Sequence, residues 1–415
     1  MKRLCFVALA AMLAAAGCAS STEGATGEGR SPSANRPVLL SEPMPSTVPE
    51  TTSTVATTTG QAEELLASLT LEEKIGQLFM PVISGRDATS VTSQEGQENE
   101  QVFGFGTPAE IVSRYKLGGV IYLHQNIVSA DQVGSLSDGL QAAALQETGI
   151  GLLVAVDQEG GRVTRITDGV TIFPSASLLS GDVEAVREAG YLTGRQVAVQ
   201  GINVVLAPVA DIAAAGTDGA IGSRSYGENP AVVADMVSAA VGGLQDSGVA
   251  AAVKHWPGHG ATQVDSHVQL PVLDITRSVW ESRERLPFQA AVDEDVAIVL
   301  VGHLALPSMD TSGGPATVSS VLIDDLLRRD LGFEGVVMTD ALNMGAVSDL
   351  DRGEVVVQAV AAGADVLLVP PDLKVAFEAM TAAVESGRLP QERIDQAVLR
   401  VLRLKQRLGL LPAAP

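Results

Sequence analysis

The stretch Ala250-Ala251-Ala252-Val253-Lys254-His255-Trp256-Pro257-Gly258-His259-Gly260 starts as an apolar run and ends in charged, titratable residues. An apolar run without alternation is typical of a strand that is buried on both faces of a parallel sheet. Seven further runs of this kind occur along the chain, at 77–81, 119–123, 152–156, 203–207, 297–301, 335–338 and 365–369. Together with 250–254, they predict eight buried strands.

Helical patterns separate these runs. Thr70 and Glu73 form a capping box that opens the first helix, and an amphipathic pattern over 390–408 predicts the last. The predicted helices between the first and the last lie at 109–115, 131–147, 183–200, 230–247, 281–291, 320–327 and 354–362. Strands that alternate with helices predict an α/β fold, a (β/α)8 TIM barrel in a single catalytic domain over 61–415. An open doubly wound sheet is the alternative, but no Gly-rich phosphate loop follows the first strand.

The first 60 residues predict an export signal and a tether. Met1-Lys2-Arg3 precedes an apolar run over 4–16 and then Gly17-Cys18, as in a secretory signal. The residues before Cys18 resemble a bacterial lipobox, so we expect a lipoprotein signal over 1–18 with lipid on Cys18. An ordinary cleaved signal is the alternative. Residues 19–60 are rich in Ser, Thr, Pro and Gly and predict a disordered tether. We therefore expect an exported protein anchored by lipid to the cell membrane, facing the wall or periplasm.

Charge and composition exclude some functions. The formal charge is −22, which disfavours nucleic acid as a partner. Aromatic residues make up only 3% of the chain, so a small pocket is more consistent with the sequence than a long stacking platform for polysaccharide. The two cysteines, Cys5 and Cys18, both lie in the predicted signal, so no disulfide is expected in the domain.

Polar residues recur where predicted strands end. Asp157-Gln158-Glu159-Gly160-Gly161-Arg162 follows the third strand, Gly302-His303 the sixth and Thr339-Asp340 the seventh. In a barrel these carboxyl ends face the active site. All five histidines also follow strand ends, namely His124, His255, His259, His267 and His303. The pattern predicts a site on one rim of the barrel.

Two reaction types are consistent with these residues. Metal-assisted hydrolysis would take its ligands from His255, His259, Asp265 and His267, although Pro257 and Gly258 break the helix that such a pair needs. Glycosidic cleavage needs a carboxylate nucleophile and a proton donor. Asp340 would be the nucleophile. Asp265 would orient the imidazole of His267 and raise its pKa.

Three motifs resemble glycoside hydrolase family 3, specifically its single-domain β-N-acetylglucosaminidases. The signature is 254–260 followed by Asp265-Ser266-His267. The segments 157–163 with Arg165, and 221–227, resemble two further family motifs. The resemblance covers about 61–410. One departure is Ala341, because many single-domain relatives have a second acidic residue after the nucleophile.

The resemblance implies a role for each matching residue. Asp340 would form a covalent glycosyl-enzyme with retention of configuration, and His267, paired with Asp265, would be the acid/base. The sugar would be bound by Asp157, Arg165, Arg224, Lys254 and His255. A structural ion pair between Asp157 and Lys254, and a helix cap at Asp340, are the alternatives. No cofactor and no metal are expected.

The expected function is therefore removal of non-reducing terminal β-linked GlcNAc from peptidoglycan-derived muropeptides such as GlcNAc-MurNAc. A family 3 β-glycosidase or a phosphorylase of other substrate is an alternative. A non-catalytic wall-binding lipoprotein is a third possibility, and intact Asp340, Asp265 and His267 argue against it.

Overall fold

A computed structural model of the chain describes residues 60–213 and 219–412. Eight short parallel strands follow one another in the order of the predicted runs, and we number them β1 to β8. They are β1 (Phe79–Met80), β2 (Gly119–Tyr122), β3 (Leu153–Val156), β4 (Val204–Val205), β5 (Ala250–Trp256), β6 (Ile298–Val301), β7 (Val336–Thr339) and β8 (Leu367–Leu368). Every predicted run therefore contains a strand, and the TIM-barrel-like α/β prediction is confirmed.

The sheet is less regular than a uniformly closed barrel. Strands β2 to β7 form one curled parallel sheet in chain order, and β1 pairs in parallel with β8 as a separate two-stranded sheet. At the two seams the backbone N–H of Ile121 donates to Pro81 O (3.1 Å) and that of Thr339 to Val366 O (2.9 Å). At each seam one of the two strands, β1 or β8, is only two residues long, so a continuous eight-stranded ladder does not form.

Thirteen α-helices occur within the described ranges. They are Gln61–Ser68, Leu71–Gly76, Ser93–Phe103, Pro108–Tyr115, Ala130–Thr148, Ala176–Leu179, Val183–Ala198, Pro230–Asp246, Arg277–Ser282, Arg285–Asp293, Glu354–Ala361, Leu373–Glu385 and Gln391–Arg407. A π-helical segment covers Val321–Asp330, and 3-10 turns lie at His124–Asn126, Gly222–Arg224, Ala316–Val318 and Gly345–Val347. The predicted helix at 281–291 is two helices, because the backbone of Arg283 leaves the helical region between them.

A short antiparallel hairpin, Gln158–Gly160 with Val163–Thr164, follows β3 and was not predicted. Gly161 has a φ of +55° at its turn, and a Cβ there would lie 2.7 Å from the side chain of Ser175. The hairpin holds Glu159 at the carboxyl end of β3.

Alternating strand residues supply two apolar layers. Leu153 and Ala155 face an inner cluster, whereas Val154 and Val156 face the helices outside. Each buried aliphatic side chain of this size contributes about 1.5–3 kcal/mol. Apolar side chains thus fill the interior of the barrel.

No helix in the described ranges is long and apolar enough to span a bilayer. The predicted signal over 1–18, the lipidation of Cys18 and nearly all of the tether lie outside the described residues.

Candidate active site

A cavity of about 500 Å³ opens at the carboxyl ends of the strands. Its size is typical of small-molecule sites. All eight residues that the sequence assigned to catalysis or sugar binding line it, namely Asp157, Arg165, Arg224, Lys254, His255, Asp265, His267 and Asp340. The floor is apolar, with Ile121 from β2, Leu206 directly after β4 and Leu300 from β6.

Lys254 lies at the centre of the polar wall. Only 3% of this residue is exposed, and its Nζ lies 2.7 Å from Asp157 Oδ1 and 2.7 Å from Glu159 Oε1. Burial alone would lower the pKa of Lys254, but the carboxylates of Asp157 and Glu159 outweigh it and hold that pKa above its ordinary value. The lysine is therefore charged. The predicted ion pair with Asp157 exists, and both partners face the cavity.

Glu159 connects Lys254 to Arg224. The Nε and Nη2 atoms of Arg224 donate to the two oxygens of Glu159 at 2.8 and 2.7 Å. Burial would raise the pKa of Glu159, but Lys254 and Arg224 outweigh burial and hold it at about 2. Glu159 belongs to the motif that follows the third predicted strand, but no role was predicted for it. The structure makes it the residue that fixes both cations.

The two cations and two carboxylates balance in charge, which lowers the cost of burying them. Bidentate binding by Arg224 and the shared lysine fix the direction of each carboxylate. Asp157 keeps 19% of its side chain exposed and turns toward the cavity. Its free acceptor positions are thus available to hydroxyl groups of a ligand.

Arg165 follows the hairpin and also lines the cavity. Its Nε atom is buried, and within the described part of the chain it has no hydrogen-bond partner. A buried guanidinium N–H without a partner is costly. Its place in the cavity lining is consistent with the predicted role in binding a ligand.

His255 is held by Asp211, which the sequence reasoning did not identify. Asp211 is fully buried after β4, and its Oδ2 lies 2.6 Å from His255 Nδ1. The backbone N–H groups of His255 and His259 donate to its other oxygen at 3.2 and 2.6 Å. Burial would raise the pKa of Asp211, but His255 outweighs burial and lowers it. Asp211 is therefore anionic and turns the Nε2 atom of His255 toward Arg224, 3.5 Å away.

Asp340 follows β7, as predicted. Its backbone N–H donates to Val301 O (2.8 Å), and its Oδ1 accepts from the N–H of Ala341 (2.8 Å). Burial would raise the pKa of Asp340, but His303 and His255 outweigh it and lower that pKa, so the carboxylate is ionised. No helix begins at Asp340; the next helical segment is the 3-10 turn that begins at Gly345. Helix capping therefore does not explain this residue.

His303 supports the nucleophile segment from below and does not line the cavity. Its Nε2 lies 3.0 Å from Ala341 O, and its Nδ1 lies 2.9 Å from the hydroxyl of Thr317. Because a carbonyl only accepts, the proton is on Nε2. Burial lowers the pKa of His303. The fifth histidine, His124, lies in a 3-10 turn and does not line the cavity either.

Asp265 and His267 form the predicted pair on the rim. Nδ1 of His267 lies 2.8 Å from Asp265 Oδ1, which also accepts from the backbone N–H of His267 at 2.9 Å. Their side chains are 48% and 71% exposed, in contrast to the buried cations of the wall. Burial would raise the pKa of Asp265, but the hydrogen bonds from His267 outweigh it and lower that pKa. The imidazole is thus oriented by a carboxylate and leaves Nε2 free.

A metal is not needed to explain these histidines. Across 60–213 and 219–412, no three His, Cys, Asp or Glu side chains are arranged to hold a metal ion. His255 Nδ1 is engaged by Asp211, and His259 Nε2 lies 3.2 Å from Ser266 Oγ. The arrangement instead places an ionised carboxylate inside a cavity and a paired imidazole at its mouth, which is suited to nucleophilic attack with proton transfer.

Comparison with known proteins agrees with this geometry. Residues 70–404 match the model of the glycosyl hydrolase family 3 N terminal domain. The chain is 34% identical over 330 residues to beta-hexosaminidase A of Pseudoalteromonas piscicida, covering 72% of this chain and 55% of that protein. It is 34% identical over 311 residues to beta-hexosaminidase LpqI of Mycobacterium tuberculosis, covering 71% and 77%.

Among solved structures, a family 3 beta-N-acetylglucosaminidase from a Paenibacillus species superposes with a TM-score of 0.76 at 40% identity. The match covers 84% of this chain and 64% of that chain. The chain thus spans just over half of the Pseudoalteromonas relative and under two thirds of the Paenibacillus protein.

Proposed function

The chain belongs to glycosyl hydrolase family 3, and from that premise we propose that it is a retaining exo-β-N-acetylglucosaminidase. The observation that carries the proposal is the presence of Asp340 and the Asp265–His267 pair around one cavity whose wall is built from fixed carboxylates and cations. Relatives named beta-hexosaminidase and a structural neighbour named beta-N-acetylglucosaminidase support the acetamido sugar as substrate.

The reaction proceeds in two steps. Asp340 attacks the anomeric carbon, the glycosidic bond breaks, and Nε2 of His267 gives its proton to the leaving oxygen. Water then attacks the glycosyl-enzyme, returns a proton to His267 and releases Asp340. Because His267 carries no negative charge as a base, it does not repel the nucleophile as a second carboxylate would.

The charged wall binds the sugar. Asp157 accepts hydrogen bonds from hydroxyl groups, with its direction fixed by Lys254. Arg165 and His255 offer nitrogen atoms toward the cavity for hydroxyl or acetamido groups. The apolar floor contacts the C–H face of the ring. A single sugar in such a cavity is consistent with removal of one terminal residue at a time.

We further propose that the substrates are muropeptides with terminal GlcNAc, and that Cys18 carries a lipid that keeps the enzyme at the membrane beside the wall. The support is the lipobox-like segment before Cys18. Cys18→Ser should move the protein from the membrane fraction to the soluble fraction, whereas the matched change Cys5→Ser should leave it in the membrane. Equal distribution of the two variants would contradict lipidation of Cys18.

The first experiment compares kcat/KM of the purified chain for an aryl β-N-acetylglucosaminide and for the matching aryl β-glucoside. We expect a strong preference for the acetamido sugar. Preference for the glucoside would contradict the proposed substrate. Dependence of the rate on inorganic phosphate, with a sugar phosphate as product, would replace hydrolysis by phosphorolysis. Binding of a disaccharide without cleavage would contradict catalysis altogether.

A further inference from the structure

The segment that carries Asp265 and His267 has one buried side chain between two exposed ones. Ser266 is 3% exposed, although its neighbours are largely in solvent. Its Oγ lies 3.2 Å from Nε2 of His259. A side chain that is buried in the middle of an exposed segment is an attachment point.

His259 is the partner to which Ser266 is attached. The ring is 2% exposed, and its Nδ1 is buried with no partner among the described residues. Burial lowers the pKa of His259, so the ring is neutral. A proton on Nδ1 would be a buried donor without an acceptor, so the proton belongs on Nε2, which donates to Ser266 Oγ.

Asp211 connects this attachment to the sugar-binding wall. The same carboxylate accepts from the backbone N–H of His259 and contacts Nδ1 of His255. Gly260 completes the close packing, because a Cβ at that position would lie 1.9 Å from Ile212 O. One buried carboxylate therefore sets the positions of a sugar-binding histidine and of the residue that holds the acid/base segment.

A second attachment joins the same segment to the nucleophile. The backbone N–H groups of Gly345 and Ala346 donate to the carbonyls of His267 and Ser266, each at 3.1 Å. A Cβ at Gly345 would lie 2.4 Å from Val268 O, so only glycine permits this approach. The segment is thus held from both sides, by Asp211 through His259 and by the residues after Asp340.

We propose that Asp211, His259 and Ser266 are positioning residues that form a buried relay and fix the Asp265–His267 pair over the cavity. The proposal rests on the proposed function and deepens it, since none of the three touches the reacting atoms. The relay makes the geometry of proton transfer depend on a hydrogen bond between two buried side chains.

Ser266→Ala removes the hydroxyl and tests the relay. Loss of one hydrogen bond predicts a fall of about fivefold to tenfold in kcat/KM for methyl β-N-acetylglucosaminide, whose leaving group needs a proton. In the dinitrophenyl glycoside the dinitrophenolate group leaves without a proton, so kcat/KM for this substrate should fall less than twofold. Ser266→Thr keeps the hydroxyl and His259→Gln keeps an N–H donor. Each of these variants should therefore lose less kcat/KM than Ser266→Ala. Ser135→Ala, at an exposed helix serine, is the matched control.

Amide hydrogen exchange gives a readout that does not require turnover. In Ser266→Ala, exchange should become faster in peptides covering 261–269 and stay unchanged in the strands. Unchanged exchange in 261–269, or an equal loss of kcat/KM on both glycosides, would overturn the relay. If the wild-type chain cleaves neither glycoside, the proposed function fails, and the exchange result still decides whether the relay holds the segment.

Discussion

Two buried charge clusters lie at opposite ends of the same barrel and serve different purposes. The first, at the carboxyl ends, consists of Lys254, Arg224, Asp157 and Glu159. The second, at the amino end of β8, consists of Asp365 with Arg328, Arg393 and Arg400 at 2.5, 3.1 and 3.1 Å. We call them the pocket cluster and the base cluster.

The difference between them lies in where the remaining polar atoms point. In the base cluster the arginines also donate to backbone carbonyls, those of Phe333 and Gly335 for Arg328, and those of Val360 and Ala364 for Arg393. In the pocket cluster Asp157 faces an open cavity. Charged residues of the same types therefore bind the backbone at one end and face an open cavity at the other, which is the end of a barrel where ligands bind.

The largest expected effect is on activity at the carboxyl end. Asp340→Asn removes the nucleophile but keeps the shape of the side chain, so kcat should fall about 10⁴-fold. The free energy of unfolding should change by less than about 1 kcal/mol, because Asp340 makes one local hydrogen bond. Steady-state kinetics and urea unfolding of the same preparation measure both. A variant with a lower free energy of unfolding but an unchanged kcat would contradict the functional role of the carboxyl end.

His267→Ala tests the acid/base role and should lower activity less than Asp340→Asn does. Removing the proton donor predicts a loss of about 10²- to 10³-fold in kcat/KM on a disaccharide. An aryl glycoside with a good leaving group should lose less, because its first step needs no proton. Equal losses on the two substrates would contradict the acid role.

Asp365→Asn is the matching change at the amino end. It leaves three arginines around a neutral amide, so the free energy of unfolding should fall by about 3 kcal/mol. The kcat of the folded fraction should stay within twofold of wild type. Urea unfolding followed by activity per folded molecule separates the two quantities. A specific loss of kcat at full stability would show that the base cluster acts on the site.

Glu284 gives a pH-dependent test near the pocket. It is 1% exposed and packs beside Gly258. Neither carboxyl oxygen accepts a hydrogen bond in the described structure, although Arg283 Nε lies 3.3 Å from Glu284 Oε1. Burial raises its pKa to about 7 from 4.5. The native state therefore holds this proton more tightly, and the protein loses stability as the pH rises from 4.5 to 7.

Glu284→Gln removes that loss. At pH 8 the variant should be more stable than wild type by up to about 3 kcal/mol, and at pH 5 the difference should be below about 1 kcal/mol. Urea unfolding at the two pH values measures it, with the exposed Glu64→Gln as control. A variant that is less stable at pH 8 would mean that Glu284 is ionised and paired.

The strands were predictable because strands buried on both faces read as apolar runs, and all eight runs contain one. The two seams in the sheet were not predictable, because a strand of two residues has no sequence pattern that indicates which strand it pairs with. The helix at 281–291 was predicted as one because its apolar periodicity continues through Arg283. Glu284 lies at the break between the two helices and contacts Gly258, and no local sequence pattern indicates this contact.

The rule that polar groups at strand ends face the site was enough to point to Asp157, Lys254, His255 and Asp340, whereas Arg165, Arg224 and the binding roles came from the family resemblance. The same rule applies to Asp211, which follows the run at 203–207, but no partner for it could be predicted from local sequence. Its contacts with His255 and His259 span 44 and 48 residues along the chain. Whether Asp365 or Asp340 serves chemistry depends on which end of a strand each occupies.

The contrast in exposure between Lys254 and His267 has a consequence for redesign. In the proposed mechanism, the wall that binds the sugar is buried at the carboxyl end of the barrel, whereas the proton donor is exposed to solvent on a short stretch of backbone. Exchange of the other residues in 261–269, with Asp265, Ser266 and His267 kept, is therefore a direct route to a new acceptor that leaves the buried sugar-binding wall unchanged.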